Sequence, residues 1–218
     1  DDQVRDEVMT FLTAGHETVA TALSWTWYCL SRNEPVRARL EDELKTVLGD
    51  RVPTAEDVPR LQFTEMVFAE AMRLYPPVWG MTRHTVDDYR AGDYLIPGGS
   101  VVGMTQYVMH RDSRYYRDPN EFDPARWTAR EKAGRPKYSY FPFGGGPRLC
   151  IGEPFAWLEG ILVIATIAQR WRMNVVHEHP IEFQPLLTLR PKHGIRVLLD
   201  QRSTSGATTG TLASAVGL

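Results

Sequence analysis

Phe141-Pro142-Phe143-Gly144-Gly145-Gly146-Pro147-Arg148-Leu149-Cys150-Ile151-Gly152 is hard to explain as ordinary packing sequence. Consecutive glycines let a backbone turn tightly or approach a flat object closely. Pro147 fixes one dihedral and removes a donor. After Gly152 an apolar helix begins near Pro154. A cysteine just ahead of a helix faces oriented N–H groups and the positive end of the dipole, a setting that suits a thiolate. A lone thiolate behind a glycine loop, beside Arg148, fits a soft metal carried by a large planar cofactor. The bland alternative, a small buried thiol, accounts for neither the glycines nor the arginine. It does fit Cys29, which lies in the apolar run Trp25-Thr26-Trp27-Tyr28-Cys29-Leu30.

The rest of the composition is that of a globular chain. It has 218 residues, 43% of them hydrophobic and 24% charged, which suits one or two domains. A net charge of −2 gives no case for nucleic-acid binding. Two cysteines make no disulfide framework. The longest apolar run, Ile161 to Ala168, is too short to span a bilayer. No signal peptide is visible, although the chain starts at Asp1 without a methionine.

Apolar periodicity predicts helices over 3–31, from Asn33 to Gly49, over 62–75 before Pro76-Pro77, and over 154–171, with a short capped helix at Thr54–Asp57. Strands are expected near Arg83–Val86, Tyr94–Ile96, Ser100–Thr105 and Arg172–Val176. Pro185–Arg190 and Gly194–Leu199 read as one hairpin around Pro191-Lys192-His193-Gly194. Residues 110–150 read as a long irregular segment, of the kind that is functional or disordered. The tail 203–218, made of Ser, Thr, Gly and Ala without charge, is expected to be unstructured. The fold class is therefore mainly α with a small β-sheet, an α+β architecture.

Two further clusters carry chemistry. In Ala14-Gly15-His16-Glu17-Thr18, a mid-helix glycine costs about 1 kcal/mol relative to alanine. The Thr18 hydroxyl can turn onto the carbonyl of Ala14 or Gly15. Together these open a groove, unless the glycine serves only close packing. Glu70 and Arg73 share a helix face, and their apolar neighbours argue for burial, where such a pair needs further partners. Arg126, in Phe122-Asp123-Pro124-Ala125-Arg126-Trp127, is the natural third member. His84, His110, His177, His179 and His193 show no metal-ligand spacing.

The pattern Phe143, Gly146, Arg148, Cys150, Gly152, preceded in order by the 14–18 and 70–73 motifs, resembles the haem-binding loop of the cytochrome P-450 family. The resemblance covers roughly residues 1–200. It implies haem b (iron protoporphyrin IX) with Cys150 as its axial ligand, and Phe143, Gly144 and Gly152 shaping the loop. Arg148 and Arg83 would each bind a propionate. Thr18 and Glu17 would organise protons over the distal face, and Glu70, Arg73 and Arg126 would form a structural triad that fixes the cysteine loop.

By the same resemblance the parent is a monooxygenase inserting one atom of dioxygen into a small organic, apolar substrate. Its electrons would come from a ferredoxin or flavin reductase, docking near the basic run Arg130, Lys132, Arg135 and Lys137. The alternatives are a peroxide-using haem-thiolate enzyme and a non-catalytic haem-binding fragment. The chain reads as the C-terminal part of such a domain, over 1–202, incomplete at its N-terminal side and expected to be inactive alone. The location would be cytoplasmic for a bacterial parent, with membrane attachment left open.

Overall fold

The computed structural model describes residues 1–202 and the backbone of 212–217. Much of the expected unstructured tail, 203–211 and 218, lies outside the described residues.

Four helices carry the core. α1 (Asp2–Ser31) is capped at its start by Asp1, whose carboxylate accepts from the Gln3 N–H. α2 (Glu34–Leu48) opens with Pro35 in its first turn and stops at Gly49, whose φ of 59° reverses the chain. α3 (Gln62–Leu74) ends before Pro76, and α6 (Glu153–Ala168) follows Gly152. A short helix, α4 (Gln106–Met109), precedes the segment expected to be irregular, and another, α5 (Ala129–Ala133), lies within it.

The core forms where the stripes of α1, α2, α3 and α6 meet. Trp25, Leu40, Leu44, Leu61, Val67, Phe68, Ile161 and Ile164 are buried there. Trp25 stacks on Tyr75 with centroids 4.5 Å apart and donates its indole N–H to the Leu189 carbonyl at 2.7 Å. Its polar atom is thus satisfied inside an apolar site. The thiol of Cys29 is buried in the same cluster, and burial pushes its pKa upward. This is the behaviour of a structural cysteine.

The strands form several small antiparallel sheets. β1 (Met81–His84) pairs with β4 (Val101–Met104), with Arg83 opposite Val102. β2 (Tyr89–Ala91) pairs with β3 (Tyr94–Ile96). β5 (Trp171–Val175) pairs with β8 (Arg196–Gln201), which also pairs with β9 (Leu212–Gly217). The expected hairpin between 185–190 and 194–199 does not form. Instead, β6 (Phe183–Pro185) folds back on β7 (Leu189–Pro191) through a tight turn, and β8 pairs with β5. The turn signal at 191–194 separates two sheets rather than closing one. β8 is selected by packing: Ile195 and Val197 are buried in the helical core, beside β5.

Candidate functional site

The cysteine loop is fixed by its own backbone. The Gly144 N–H donates to the Phe141 carbonyl at 3.0 Å, and Leu149 N–H to Gly146 O at 3.1 Å. The Cys150 N–H closes the loop onto the Phe143 carbonyl at 3.0 Å. Gly144 has φ 78°, a left-handed conformation that a side chain rarely adopts. Phe143 is half-buried, its ring 5.8 Å from that of Trp157 on α6. That contact ties the loop to the helix it precedes. The Cys150 side chain is exposed, as are Leu149, Ile151 and Phe155 around it. The loop therefore presents one sulfur ringed by apolar side chains.

Arg148 sits on the same loop, exposed. A Cβ on Gly144 would lie 3.4 Å from the Met81 methyl, so β1 packs against the loop. Arg83 is two residues from Met81 on that strand, hence on the same face. Among the described residues neither arginine forms an ion pair; Arg83 donates only to the neighbouring Thr82 carbonyl at 2.8 Å.

The buried ion pair is complete. Both Glu70 and Arg73 have no exposed side-chain surface. Arg73 spends all five N–H donors. Nε and Nη2 reach the two Glu70 oxygens at 2.8 Å; Nη1 reaches the His110 and Pro119 carbonyls, each at 2.7 Å; Nη2 also reaches the Glu121 carbonyl at 3.0 Å. Glu70 further accepts from the Asp123 N–H at 3.0 Å and the Trp127 indole at 2.9 Å. Arg126 Nε lies 3.3 Å from Glu70, and its Nη2 donates to the Asp118 carbonyl at 2.9 Å. These contacts order the segment around 110–127 without regular secondary structure.

On α1, the Thr18 hydroxyl donates to the Ala14 carbonyl at 2.8 Å and lies 3.3 Å from that of Gly15. A Cβ at Gly15 would meet nothing within 4 Å, so packing is not what requires glycine there. Glu17 is engaged in a way that its motif does not announce. Its Oε1 accepts the Thr188 hydroxyl at 2.5 Å and pairs with Arg190 Nε at 2.9 Å, both from the β6–β7 hairpin.

Of the basic run, Arg130 and Lys132 are exposed, but Arg135 turns inward. It donates to the Arg126 carbonyl at 2.6 Å and lies over the Trp127 ring at 4.4 Å. It is thus part of the support of the ion pair rather than of a free basic face.

Sequence reasoning missed His110. It is buried, its carbonyl accepts from Arg73, and its Nε2 accepts the Phe141 N–H at 2.9 Å. Nothing in the sequence marks it apart from its position four residues after Gln106, another buried polar side chain.

The residues fit a haem. An exposed sulfur donor, two arginines without acidic partners on adjoining elements, and uncovered apolar side chains meet the needs of an anionic, planar, apolar group with a soft axial bond. Among the described residues no group of three or more His, Cys, Asp or Glu could hold a bare metal ion. No described helix is long and apolar enough to cross a membrane.

The family model "Cytochrome P450" matches residues 1–199. The chain is 44% identical over 189 residues to cyclooctatin synthase of Streptomyces melanosporofaciens, covering 87% of this chain and 41% of that protein. It is 34% identical to pentalenene oxygenase of Streptomyces avermitilis (93% of this chain, 45% of the relative). To human cytochrome P450 4V2 it is 35% identical (93% and 39%). The chain thus spans roughly two-fifths of the length of these relatives. With a family-model match over nearly all of its described residues, the chain belongs to the cytochrome P450 family.

Proposed function

We propose that the protein carrying this chain is a haem-thiolate monooxygenase, and that residues 1–202 form the C-terminal part of its catalytic domain. The observation that carries this reading is Cys150, held exposed on a loop hydrogen-bonded to itself at the start of α6. Haem b, when bound, supplies the iron at which dioxygen is activated, with thiolate donation favouring O–O cleavage.

The chain's own residues bind, orient and move protons. Cys150 would hold the haem iron through its sulfur. Arg148 and Arg83 hold the propionates through charge-assisted bonds. Phe143 packs the loop against α6, and Gly144 and Gly152 would let the backbone approach the flat group closely. Thr18 holds a proton-bearing hydroxyl at the groove in α1, resting on the Ala14 carbonyl until drawn away. Glu17 stands next to it as the acid of the relay. Glu70, Arg73 and Arg126 keep the cysteine segment in place.

The substrate is a small organic molecule. Two of the relatives carry names from terpenoid chemistry, cyclooctatin synthase and pentalenene oxygenase, which supports an apolar one. Electrons come from a ferredoxin or flavin reductase.

The test uses the full-length protein loaded with haem. Its reduced carbonyl complex should show the red-shifted Soret band of thiolate ligation, and Cys150→Ser should abolish it. Turnover should require reductant and dioxygen. Thr18→Ala should keep the haem but divert electrons into peroxide or water, and unchanged product per electron would remove Thr18 from the relay. Full activity with peroxide alone would favour a peroxide-using enzyme.

A further inference from the structure

We propose that His110 is a positioning residue for the axial cysteine, linking the buried Glu70–Arg73 pair to the first amide of the thiolate loop through its side chain. The proposal rests on the haem-thiolate reading of Cys150 and adds to it a residue outside all three motifs.

The connection is continuous. Arg73 Nη1 donates to the His110 backbone carbonyl at 2.7 Å. The imidazole Nε2 of the same residue accepts the Phe141 N–H at 2.9 Å. The Phe141 carbonyl accepts from Gly144, and the Phe143 carbonyl accepts from Cys150, each at 3.0 Å. Three hydrogen bonds thus separate the imidazole from the amide of the ligand residue. Among the described residues no other side chain donates to or accepts from the backbone of residues 141–150. This ring is therefore, among the described residues, the one side chain hydrogen-bonded to the loop backbone.

The ring is held for that purpose. It has no exposed surface and packs against Tyr140 and Phe141, with centroids at 5.0 and 5.4 Å. Accepting from Phe141 requires a lone pair on Nε2, so the ring is neutral with its proton on Nδ1. The surroundings enforce this. Burial, then the Arg73 charge, and Arg111 after it, hold the pKa down at about 3, outweighing the pull of the Arg73 and Met72 carbonyls beside the ring. Nδ1 lies beside those carbonyls without a hydrogen bond of regular geometry.

Leaving a buried N–H without a partner is strongly unfavourable, so the loop should shift when the acceptor is removed. His110→Phe fills the space without an acceptor. His110→Gln can place Oε1 near the position of Nε2, because both atoms end chains of equal length. In the haem-loaded full-length protein, His110→Phe should convert the reduced carbonyl complex from the thiolate band toward the shorter-wavelength band of a neutral ligand, changing their ratio roughly tenfold. His110→Gln should restore the thiolate band. Amide exchange in the unmutated protein gives a second measurement that needs no variant: the Phe141 amide should be as protected as those of α3.

If the unmutated protein shows the thiolate band and His110→Phe keeps it in full, the positioning role is wrong while the thiolate reading stands. If the unmutated protein lacks the band, the thiolate reading itself fails. A Phe141 amide that exchanges as fast as an exposed loop overturns the tether, even if His110→Phe yields no folded protein.

Discussion

Thr188 donates its hydroxyl to Glu17 at 2.5 Å across 171 residues of chain, and Arg190 reaches the same carboxylate oxygen at 2.9 Å. Glu17 is thereby fastened to the β6–β7 hairpin. The two fastenings differ in depth: Thr188 is buried, whereas the Arg190 side chain is 49% exposed.

That difference sets an order of effects. Thr188→Val removes a buried donor to a charged acceptor and should cost about 1–2 kcal/mol. Arg190→Gln breaks a solvent-screened pair and should cost only about 0–1 kcal/mol. Denaturant unfolding of the two variants checks this, and an equal loss would mean that burial does not distinguish them.

Glu70→Ala leaves the Arg73 guanidinium buried with only carbonyls around it, and removes the acceptor for Trp127 and Asp123. Breaking a buried pair from one side costs about 3–5 kcal/mol, a large part of a domain's stability. Little soluble, haem-replete protein should be recovered. A variant with unchanged melting temperature and haem content would show that the pair is dispensable.

Gly160→Ala on α6 should go against its propensity. Alanine is favoured over glycine in a helix by about 1 kcal/mol. Here the added Cβ would fall 2.3 Å from Phe68 Cε1 on α3. Overpacking of this kind costs about 1–3 kcal/mol, so the melting temperature should fall rather than rise.

The pH profile should carry the signature of His110. Its pKa is lowered from 6.5 to about 3 by burial and by Arg73. Between those values the unfolded chain binds a proton that the folded chain does not. Stability from this residue is therefore complete above about pH 6.5 and falls as pH drops toward 3. Relative to His110→Gln, the unmutated protein should lose up to about 1.4 kcal/mol per pH unit in that window. Parallel acid profiles for the two proteins would contradict a neutral, buried ring.

The long helices were legible because each has an apolar stripe at helical spacing and a boundary residue: Asp1 before α1, Gly49 after α2, Pro76 after α3. β2 was missed because Tyr89–Ala91 is only three residues long, too short for a periodicity to register. The 185–199 hairpin was misassigned because two apolar runs around a turn look alike whichever partners they take. The pairing of β8 was decided by β5, which lies elsewhere in the sequence. At the site, Cys150, Glu70, Arg73 and Thr18 stand in local motifs. Thr188, Arg190, Trp127 and His110 reach the site only through tertiary contacts, and no spacing announces them.

α1 has one further consequence. Residues 1–14 are exposed, whereas Trp25, Thr26, Trp27, Cys29 and Leu30 are buried. A helical segment without packing partners opens readily in water, while a packed one opens only with the whole domain. In this 218-residue chain by itself the helix is therefore a gradient of opening free energies rather than a uniform rod. Gly15 and Thr18 stand where the gradient turns, just ahead of the first buried residue, Val19. Amides before them should exchange quickly and amides after Trp25 slowly. Local breathing of this chain's helix would then be centred on Gly15 and Thr18, where a hydroxyl can leave the Ala14 carbonyl without disturbing the core behind it.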